Sequence, residues 1–231
     1  MSPALAGRLP DFPWDSLAGA KRIATAHPDG LVDLSVGTPV DPTPGLIRAA
    51  LEAASDAPGY PTTWGTPELR AAIIGYLERR WSAAGLTEAG VLPVVGTKEL
   101  VALLPLLLGL GADDVVMIPE VAYPTYRVGA EVVGAKVVAC DDPAEVDAVR
   151  PALIWINSPA NPHGAILSLE QTRAWVDAAR SAGAVLAADE CYGEFGWDSE
   201  PVSVLDPRVS GGSPDGLLGV HSLSKRSNLA G

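Results

Sequence analysis

Two reactive side chains stand directly behind apolar runs of this sequence. Asp189 follows the apolar run 184–188, and Lys225 follows the run 217–221 after three intervening residues. A lysine amine can form a Schiff base with an aldehyde, and a carboxylate can keep a pyridinium nitrogen protonated so that the ring withdraws electrons. The two residue types together predict pyridoxal phosphate as the cofactor, with Lys225 also acting as general base once it has lost its proton.

Other polar residues behind apolar runs could complete such a site. The turn Gly96-Thr97-Lys98 opens a helical pattern, so its backbone N–H groups would bind a phosphate, with help from the Ser222 hydroxyl. Tyr123 would stack on the ring, while Asn161 and Tyr192 would hydrogen-bond the phenolic oxygen of the ring. Each of these residues alone is more often a cap, a turn or a core residue. Their conjunction is what favours a cofactor site.

The order of apolar runs predicts how these residues come together. Short apolar runs alternate with helical patterns, which indicates an α/β fold with a parallel sheet between helices. Ligands of such sheets bind beyond the carboxyl ends of the strands, where the candidate residues lie. Helices are predicted over 67–84, with Thr66 as cap, and over 168–181, with Ser168 as cap and Gly183 as stop. The predicted strands are residues 91–95, 115–118, 136–139, 152–156, 184–188 and 217–221.

The amino-acid composition argues against several classes of protein. Sixteen Lys and Arg stand against 28 Asp and Glu, a net charge of −12, and no basic run is visible, so nucleic acid is not an expected partner. Two cysteines and three histidines without metal-ligand spacing predict neither a disulfide framework nor a metal site. The longest apolar stretch, 100–110, is too short to span a bilayer, and the N-terminus lacks the pattern of a signal peptide. A cytoplasmic protein without membrane contact is therefore expected.

Proline spacing suggests two regions. Residues 1–41 are rich in Pro and Gly and are predicted to form an extended N-terminal arm or part of a small domain, and 42–231 a cofactor-binding large domain.

The motifs, taken in order, resemble the class I and II aminotransferases of fold type I. The resemblance implies a mostly parallel seven-stranded sheet in the large domain, an amino acid and a 2-oxo acid as substrates, and a homodimer with its sites at the interface. It also implies that the backbone of Gly37 contacts the substrate carboxylate, with Asn161 also on the substrate, and that Tyr60 reaches the phosphate of the neighbouring subunit. Lys225, Asp189 and Tyr192 would be the catalytic residues. The resemblance also places Ser224 beside the cofactor. The motifs are Ser35-Val36-Gly37-Thr38-Pro39, Tyr60, Gly65-Thr66-Pro67-Glu68-Leu69-Arg70, Gly96-Thr97-Lys98, Tyr123-Pro124, Asn161-Pro162, Asp189-Glu190-Cys191-Tyr192 and Ser222-Leu223-Ser224-Lys225.

Within that family, residues 60–65 and 222–231 are similar to the succinyldiaminopimelate aminotransferases of actinobacteria, which implies amino transfer in lysine biosynthesis. Family members continue well past the lysine, into a small C-terminal domain. The arginines expected to bind phosphate and substrate carboxylate have no counterpart among Arg8, Arg22, Arg48 and Arg226. The chain is therefore expected to be a piece that lacks this domain, binds the cofactor weakly and does not turn over alone.

Three other interpretations use the same residues. A carbon–sulfur lyase or a decarboxylase would also need Lys225 and Asp189. The segment 222–225 fits the S-x-x-K pattern of penicillin-recognising enzymes, but the Ser-Asp-Asn and Lys-Thr-Gly motifs that accompany it are missing from the sequence. A non-catalytic cofactor-binding fragment is the remaining alternative.

Overall fold

A five-stranded parallel sheet forms the centre of the structure, a computed structural model that describes residues 13–37 and 40–230. The strand order across the sheet is β2-β1-β3-β4-β5, and every neighbouring pair is parallel. The strands are β1 Val115–Ile118, β2 Lys136–Ala139, β3 Leu153–Asn157, β4 Val185–Asp189 and β5 Leu217–Val220.

Helices connect the strands and precede them in the chain. Short 3₁₀ segments at Pro13–Leu17, Glu88–Gly90 and Pro143–Glu145 supplement them. The α-helices of the described residues are α1 Ala18–Thr25, α2 Gly45–Ala53, α3 Pro67–Trp81, α4 Thr97–Leu107, α5 Thr125–Val133, α6 Val146–Val149, α7 Leu169–Ala182, α8 Pro207–Ser210 and α9 Leu223–Arg226. None of them is long and apolar enough to cross a bilayer.

Helices pack on both faces of the sheet. Because successive residues of each strand point to opposite sides, residues of both parities are buried in the central strands. On one face Ile154 and Leu186 pack with Trp175 of α7, in a cluster that also contains Leu77 and Trp81 of α3. On the other face the cluster contains Leu153, Trp155 and Ala187 together with buried residues of α4 and α5. The alternation explains why the central strands are apolar at every position, and it leaves polar residues only at the strand ends.

Five of the six predicted strands are present within one residue of the expected bounds, and the α/β class is confirmed. The predicted strand 91–95 is wrong: these residues form no ladder among the described part of the chain, and Val95 is fully exposed. A β-strand needs a neighbour for its N–H and C=O groups, and the described sheet offers it none. The sheet accordingly has five strands here instead of the seven implied by the resemblance.

The N-terminal region also differs from its prediction. Residues 13–25 are helical, whereas their prolines predicted an extended arm. Pro13 begins the 3₁₀ segment, a position where the missing N–H of proline has no helical partner to lose. Residues 26–37 carry no regular element, and 1–12, 38 and 39 lie outside the described residues.

The helix α7 begins at a capping box, as its sequence predicts. The Ser168 side chain accepts a hydrogen bond from the Gln171 N–H, and the Gln171 side chain accepts one from the Ser168 N–H. Gly183 ends the helix in the left-handed conformation, with φ of 70°. Both ends of the helix that covers the centre of the sheet are therefore set locally.

Replacing Ser168 by alanine is expected to lower the free energy of unfolding by about 1 kcal/mol, because the first turn of α7 loses its side-chain acceptor. Urea unfolding followed by circular dichroism measures the change. Ser181→Ala, at an exposed position of the same helix, is the matched control and should change stability by less than about 0.5 kcal/mol. Equal effects of the two substitutions would contradict a stabilising role for the cap.

Candidate functional site

The carboxyl ends of β3, β4 and β5 bring the central candidates together. Asp189 is the last residue of β4 and is paired in register with Asn157 of β3 on one side and Val220 of β5 on the other. The chain leaves β5 through His221 and enters α9, which carries Lys225. Adjacent parallel strands thus deliver the carboxylate and the lysine segment to the same edge of the sheet, as the sequence predicts.

The Asp189 carboxylate is buried and held on both oxygens. The residue is 8% exposed. Its Oδ2 accepts a hydrogen bond of 2.7 Å from the Tyr126 hydroxyl, and its Oδ1 accepts one of 3.1 Å from the Cys191 N–H. Each oxygen retains a lone pair, so the carboxylate can still accept a proton-bearing ring nitrogen. The donors fix its orientation before any ligand binds.

Tyr126 is itself held by aromatic neighbours. Its ring stacks on Trp155 of β3, with centroids 4.8 Å apart, and meets the Tyr123 ring edge-on at 5.7 Å. Tyr126 is fully buried, whereas Tyr123 is half-buried and retains an accessible side. Tyr123, the residue predicted to stack on the cofactor, is therefore packed on the tyrosine that binds Asp189.

Asn157 connects the predicted Asn161 to the same strand end. The Asn157 amide donates hydrogen bonds to the carbonyl oxygens of Asp189, at 2.8 Å, and Pro159, at 3.1 Å. Its side-chain oxygen accepts the Asn161 N–H at 2.7 Å. The side chain of a buried strand residue thereby fixes the loop that carries Asn161 relative to the backbone of Asp189.

Lys225 lies near Tyr192 and Cys191. Its Nζ atom is 5.6 Å from the centroid of the Tyr192 ring, within the range of a cation–π contact. Ser222 caps the short helix by accepting the Ser224 N–H, an arrangement that leaves the Ser222 hydroxyl proton free to donate to another group. Ser222, Ser224 and Lys225 are each partly accessible.

The turn at the start of α4 is not capped by the side chain that precedes the helix. Gly96 stands at the N-cap position and, having no side chain, makes no capping hydrogen bond to the N–H groups of the first turn. A Cβ atom at Gly96 would meet nothing within 4 Å, which leaves room for a ligand. An anionic phosphate fits this donor set. Beside the turn lies an open groove of about 500 Å³, which is lined by Gly96, Lys98 and Thr125 among others. Tyr123, Asn161 and Tyr192, the residues predicted to contact the cofactor ring, do not line this groove.

Burial raises the pKa of every phenol and thiol in the cluster. Desolvation is the main cause at Tyr123, Tyr126 and Tyr192, and the negative charge of Asp189 acts in the same direction. Burial likewise raises the pKa of the Cys191 thiol, while a hydrogen bond with Thr97 and the charge of Lys225 lower it. These contributions locate Thr97 and Lys225 close to Cys191. The tyrosine hydroxyls stay protonated at neutral pH and can act as hydrogen-bond donors.

Two predicted residues are not joined to this cluster. Gly37 and Tyr60 are both exposed, and no hydrogen bond links either of them to the cluster among the described residues. Within residues 13–37 and 40–230, no group of three or more His, Cys, Asp or Glu side chains forms a metal site.

The structure adds two residues that the sequence reasoning did not select. Asn157 directly follows the predicted strand 152–156, as the other candidates follow theirs, and it ends the observed strand β3. Tyr126 stands three residues after the candidate Tyr123 and lies in the first turn of α5. That spacing was the available signal. The partner of Tyr126, Asp189, could be known only from the tertiary fold.

Comparison with known proteins identifies the family. Residues 29–231 match the model of the aminotransferase class I and II family. The chain therefore belongs to the class I and II aminotransferases, and the family implies pyridoxal phosphate as its cofactor. The uncapped turn at Gly96, the buried carboxylate of Asp189 and the neighbouring Lys225 provide the donor, acceptor and amine that this cofactor needs.

The names of curated relatives agree on amino transfer but differ in the substrate. The chain is 57% identical over 223 residues to a "Probable aminotransferase" of Mycobacterium tuberculosis, covering 96% of this chain and 53% of that protein. It is 55% identical to the 4-dedimethylamino-4-oxo-anhydrotetracycline transaminase of Streptomyces rimosus, covering 96% and 62%. An LL-diaminopimelate aminotransferase of Aquifex aeolicus is 31% identical, covering 96% and 61%. The chain thus spans little more than half the length of these relatives.

Solved structures of the same family share the fold. An aminotransferase from Helicobacter pylori superposes with a TM-score of 0.83 at 29% identity, covering 95% of this chain and 62% of that one. Substrate-bound BacF from Bacillus subtilis superposes with a TM-score of 0.86 at 25% identity, covering 100% and 61%. The fold-type I architecture predicted from the motifs is confirmed.

Tyr126→Phe is expected to weaken pyridoxal phosphate binding by about tenfold, because the buried Asp189 loses one of its two hydrogen bonds while the ring stack on Trp155 remains. Titration of the complete gene product with the cofactor, followed by near-ultraviolet and visible absorbance, measures the affinity. Tyr123→Phe is the control: it removes a hydroxyl that makes no hydrogen bond to Asp189. An unchanged affinity in Tyr126→Phe would show that Asp189 needs no orientation from this side.

Proposed function

We propose that the protein is a pyridoxal phosphate-dependent aminotransferase that moves an amino group between an amino acid and a 2-oxo acid. The observation that carries the proposal is the meeting of Asp189 and Lys225 at one edge of the sheet, with Asp189 buried and bonded to Tyr126. Membership of the family and the close relatives named as aminotransferases support it.

Bound pyridoxal phosphate supplies an electron-withdrawing ring that stabilises negative charge on the substrate α-carbon. Asp189 holds a proton on the ring nitrogen, because its carboxylate is fixed and shielded from water. Lys225 would supply the amine that holds the cofactor and would move the proton at the substrate α-carbon. Tyr192 and Asn161 would donate to the phenolic oxygen of the ring, and Tyr123 would pack against the ring.

The phosphate group would be bound by residues of two separate segments. The N–H groups of Thr97 and Lys98 at the start of α4 would donate to it, and the hydroxyl proton of Ser222 would add a third donor. Ser224, two residues further along the chain, would be a further contact. The positive end of the α4 helix dipole would also stabilise the anion.

The substrate we propose is an N-succinylated amino-keto-pimelate, with glutamate as amino donor, in lysine biosynthesis. The segments 60–65 and 222–231 support this assignment by their resemblance, and LL-diaminopimelate aminotransferases are among the more distant relatives. A second candidate is a polycyclic ketone, which a relative at 55% identity accepts according to its name. A lyase acting through the same Lys225 is the remaining alternative.

The active assembly we propose is a homodimer, in which Tyr60 of one subunit completes the phosphate site of the other and Gly37 contacts the substrate carboxylate. The full exposure of Tyr60 supports this role, because a large aromatic side chain in water is typical of an interface position. The division into an arm at 1–41 and a large domain from 42, and the cytoplasmic location, stay predictions.

The first experiment tests the site. The complete gene product is mixed with pyridoxal phosphate, reduced with borohydride and digested for mass mapping. We expect a single modified peptide containing Lys225, and none in Lys225→Ala, since Lys225 is the lysine that the proposed site places with Asp189. Lys136→Ala, at an exposed lysine on β2, should keep the modification. Modification of a different lysine would overturn the assignment.

The second experiment tests the substrate. Spectral conversion of the cofactor-loaded protein by glutamate, followed by return with a 2-oxo acid or ketone, reports each half of the transfer. A return at least tenfold faster with N-succinylated amino-keto-pimelate than with a polycyclic ketone is expected. The reverse order would favour the second candidate, and release of a thiol or of carbon dioxide would favour a lyase or a decarboxylase.

A further inference from the structure

We propose that Glu190 and His221 form a brace that positions Lys225 relative to Asp189 from the opposite face of the sheet. The proposal rests on the proposed function, because it concerns the placement of the two residues that would hold the cofactor. Neither Glu190 nor His221 takes part in the chemistry described above. Both are positioning residues.

The two side chains stand next to each other where β4 and β5 end. Asp189 is in register with Val220, and the Glu190 N–H donates to the Val220 oxygen at 2.9 Å, so the next residue of each strand faces the other. Glu190 Oε2 and His221 Nε2 are 3.2 Å apart. The contact joins the residue after Asp189 to the residue before Ser222.

The pair is largely buried, and one of its polar atoms is hydrogen-bonded to the backbone. The Glu190 side chain is 5% exposed and that of His221 is 19% exposed. Glu190 Oε1 accepts a 2.7 Å hydrogen bond from the Val204 N–H, whereas Glu190 Oε2 and His221 Nε2 are buried and make no hydrogen bond within the described chain. Their 3.2 Å approach is therefore a polar contact between two atoms that the described residues leave without a hydrogen bond.

Helix α3 completes the packing of the imidazole. The His221 ring lies 5.9 Å from the Trp81 ring at 38° and 6.1 Å from the Tyr76 ring at 90°. A Cβ atom at Gly193 would come within 2.7 Å of the Trp81 ring, so the turn that carries Tyr192 also presses on this helix. The imidazole of the brace is therefore packed against two aromatic rings of α3.

A second contact ties the far side of the lysine segment to the same turn. Glu194 accepts hydrogen bonds from the Tyr76 hydroxyl at 3.0 Å and from Arg80 Nε at 2.9 Å, and its Oε1 is 3.5 Å from Arg226 Nε. The Arg226 guanidinium lies 4.7 Å above the Tyr76 ring. In the chain, Lys225 thus lies between His221 and Arg226, which both contact the segment 190–194.

The type of interaction favours positioning over stability. Taking a carboxylate out of water is costly, and one polar neighbour seldom offsets that cost, so a pair of apolar residues of similar volume would serve stability as well. A close polar contact ties two particular atoms together, whereas an apolar contact tolerates more displacement of its partners. Loss of one partner would leave the other buried and uncompensated, and the strand ends would shift to relieve it.

The test compares His221→Leu, His221→Gln and Thr172→Val in the complete gene product. His221→Gln keeps a donor for Glu190, whereas His221→Leu removes it. Thr172→Val removes the hydrogen bond from a buried hydroxyl of α7 that contacts neither Glu190 nor His221, and so supplies a destabilised control. Pyridoxal phosphate affinity, the visible circular dichroism per bound cofactor and the melting temperature are measured for each.

We expect His221→Leu to lose about tenfold or more in cofactor affinity and to change the sign or intensity of the cofactor circular dichroism. His221→Gln should recover most of both, and Thr172→Val should change the melting temperature alone. Glu190→Gln, which keeps its shape and its bond to Val204, should weaken binding in the same direction. Combined with His221→Leu it should add no further loss, because both substitutions remove one contact.

The brace is overturned if the affinity and dichroism of His221→Leu equal those of Thr172→Val at a matched melting temperature. It is also overturned if the double variant loses the sum of the two single effects. A wild-type protein that binds no pyridoxal phosphate would instead overturn the proposed function, so the two failures are distinguishable.

Discussion

Asp189 carries its carboxylate at 8% exposure at the end of a buried strand, and a charge there persists only where hydrogen bonds replace the lost water. The Tyr126 hydroxyl and the Cys191 N–H supply those bonds. Much of the neighbouring structure follows from this need. Tyr126 must be pinned, so it stacks on Trp155. The strand must end at this residue, so Asn157 secures the backbone beside it.

The two faces of the sheet have different roles in the proposed site. Odd-numbered residues of β4, up to Asp189, face α4 and α5, where the proposed cofactor contacts lie. The even-numbered Glu190 turns with His221 towards α3, which carries no proposed cofactor contact. A single step along the chain therefore separates a residue that would touch the ligand from one that fixes its geometry. Period-two alternation of the strand is what makes this division available.

Features that depend on neighbouring residues in the chain could be predicted from the sequence. The apolar runs predicted β1 to β5 within a residue, and the Ser168 cap and Gly183 stop were visible as residue types. Strand 91–95 was mispredicted because an apolar run shows the preference for a strand but not whether a neighbour is present to pair with it. The placement of Asp189 beside the lysine segment followed from parallel topology. The hydrogen bond from Tyr126 did not, because it joins residues 63 positions apart in the chain.

The spatial order of the strands differs from their order in the chain at one point only. The chain runs from β1 outwards to β2, returns across β1 to β3, and then adds β4 and β5 in sequence, so β5 forms an edge of the described sheet. Pairings between distant segments form late, since the entropy of loop closure must first be met. The lysine thus follows the edge strand of the described sheet, which pairs with β4 alone. A chain in which β5 has not yet docked on β4 would present the amine without the carboxylate beside it, and binding of the cofactor would then report that docking.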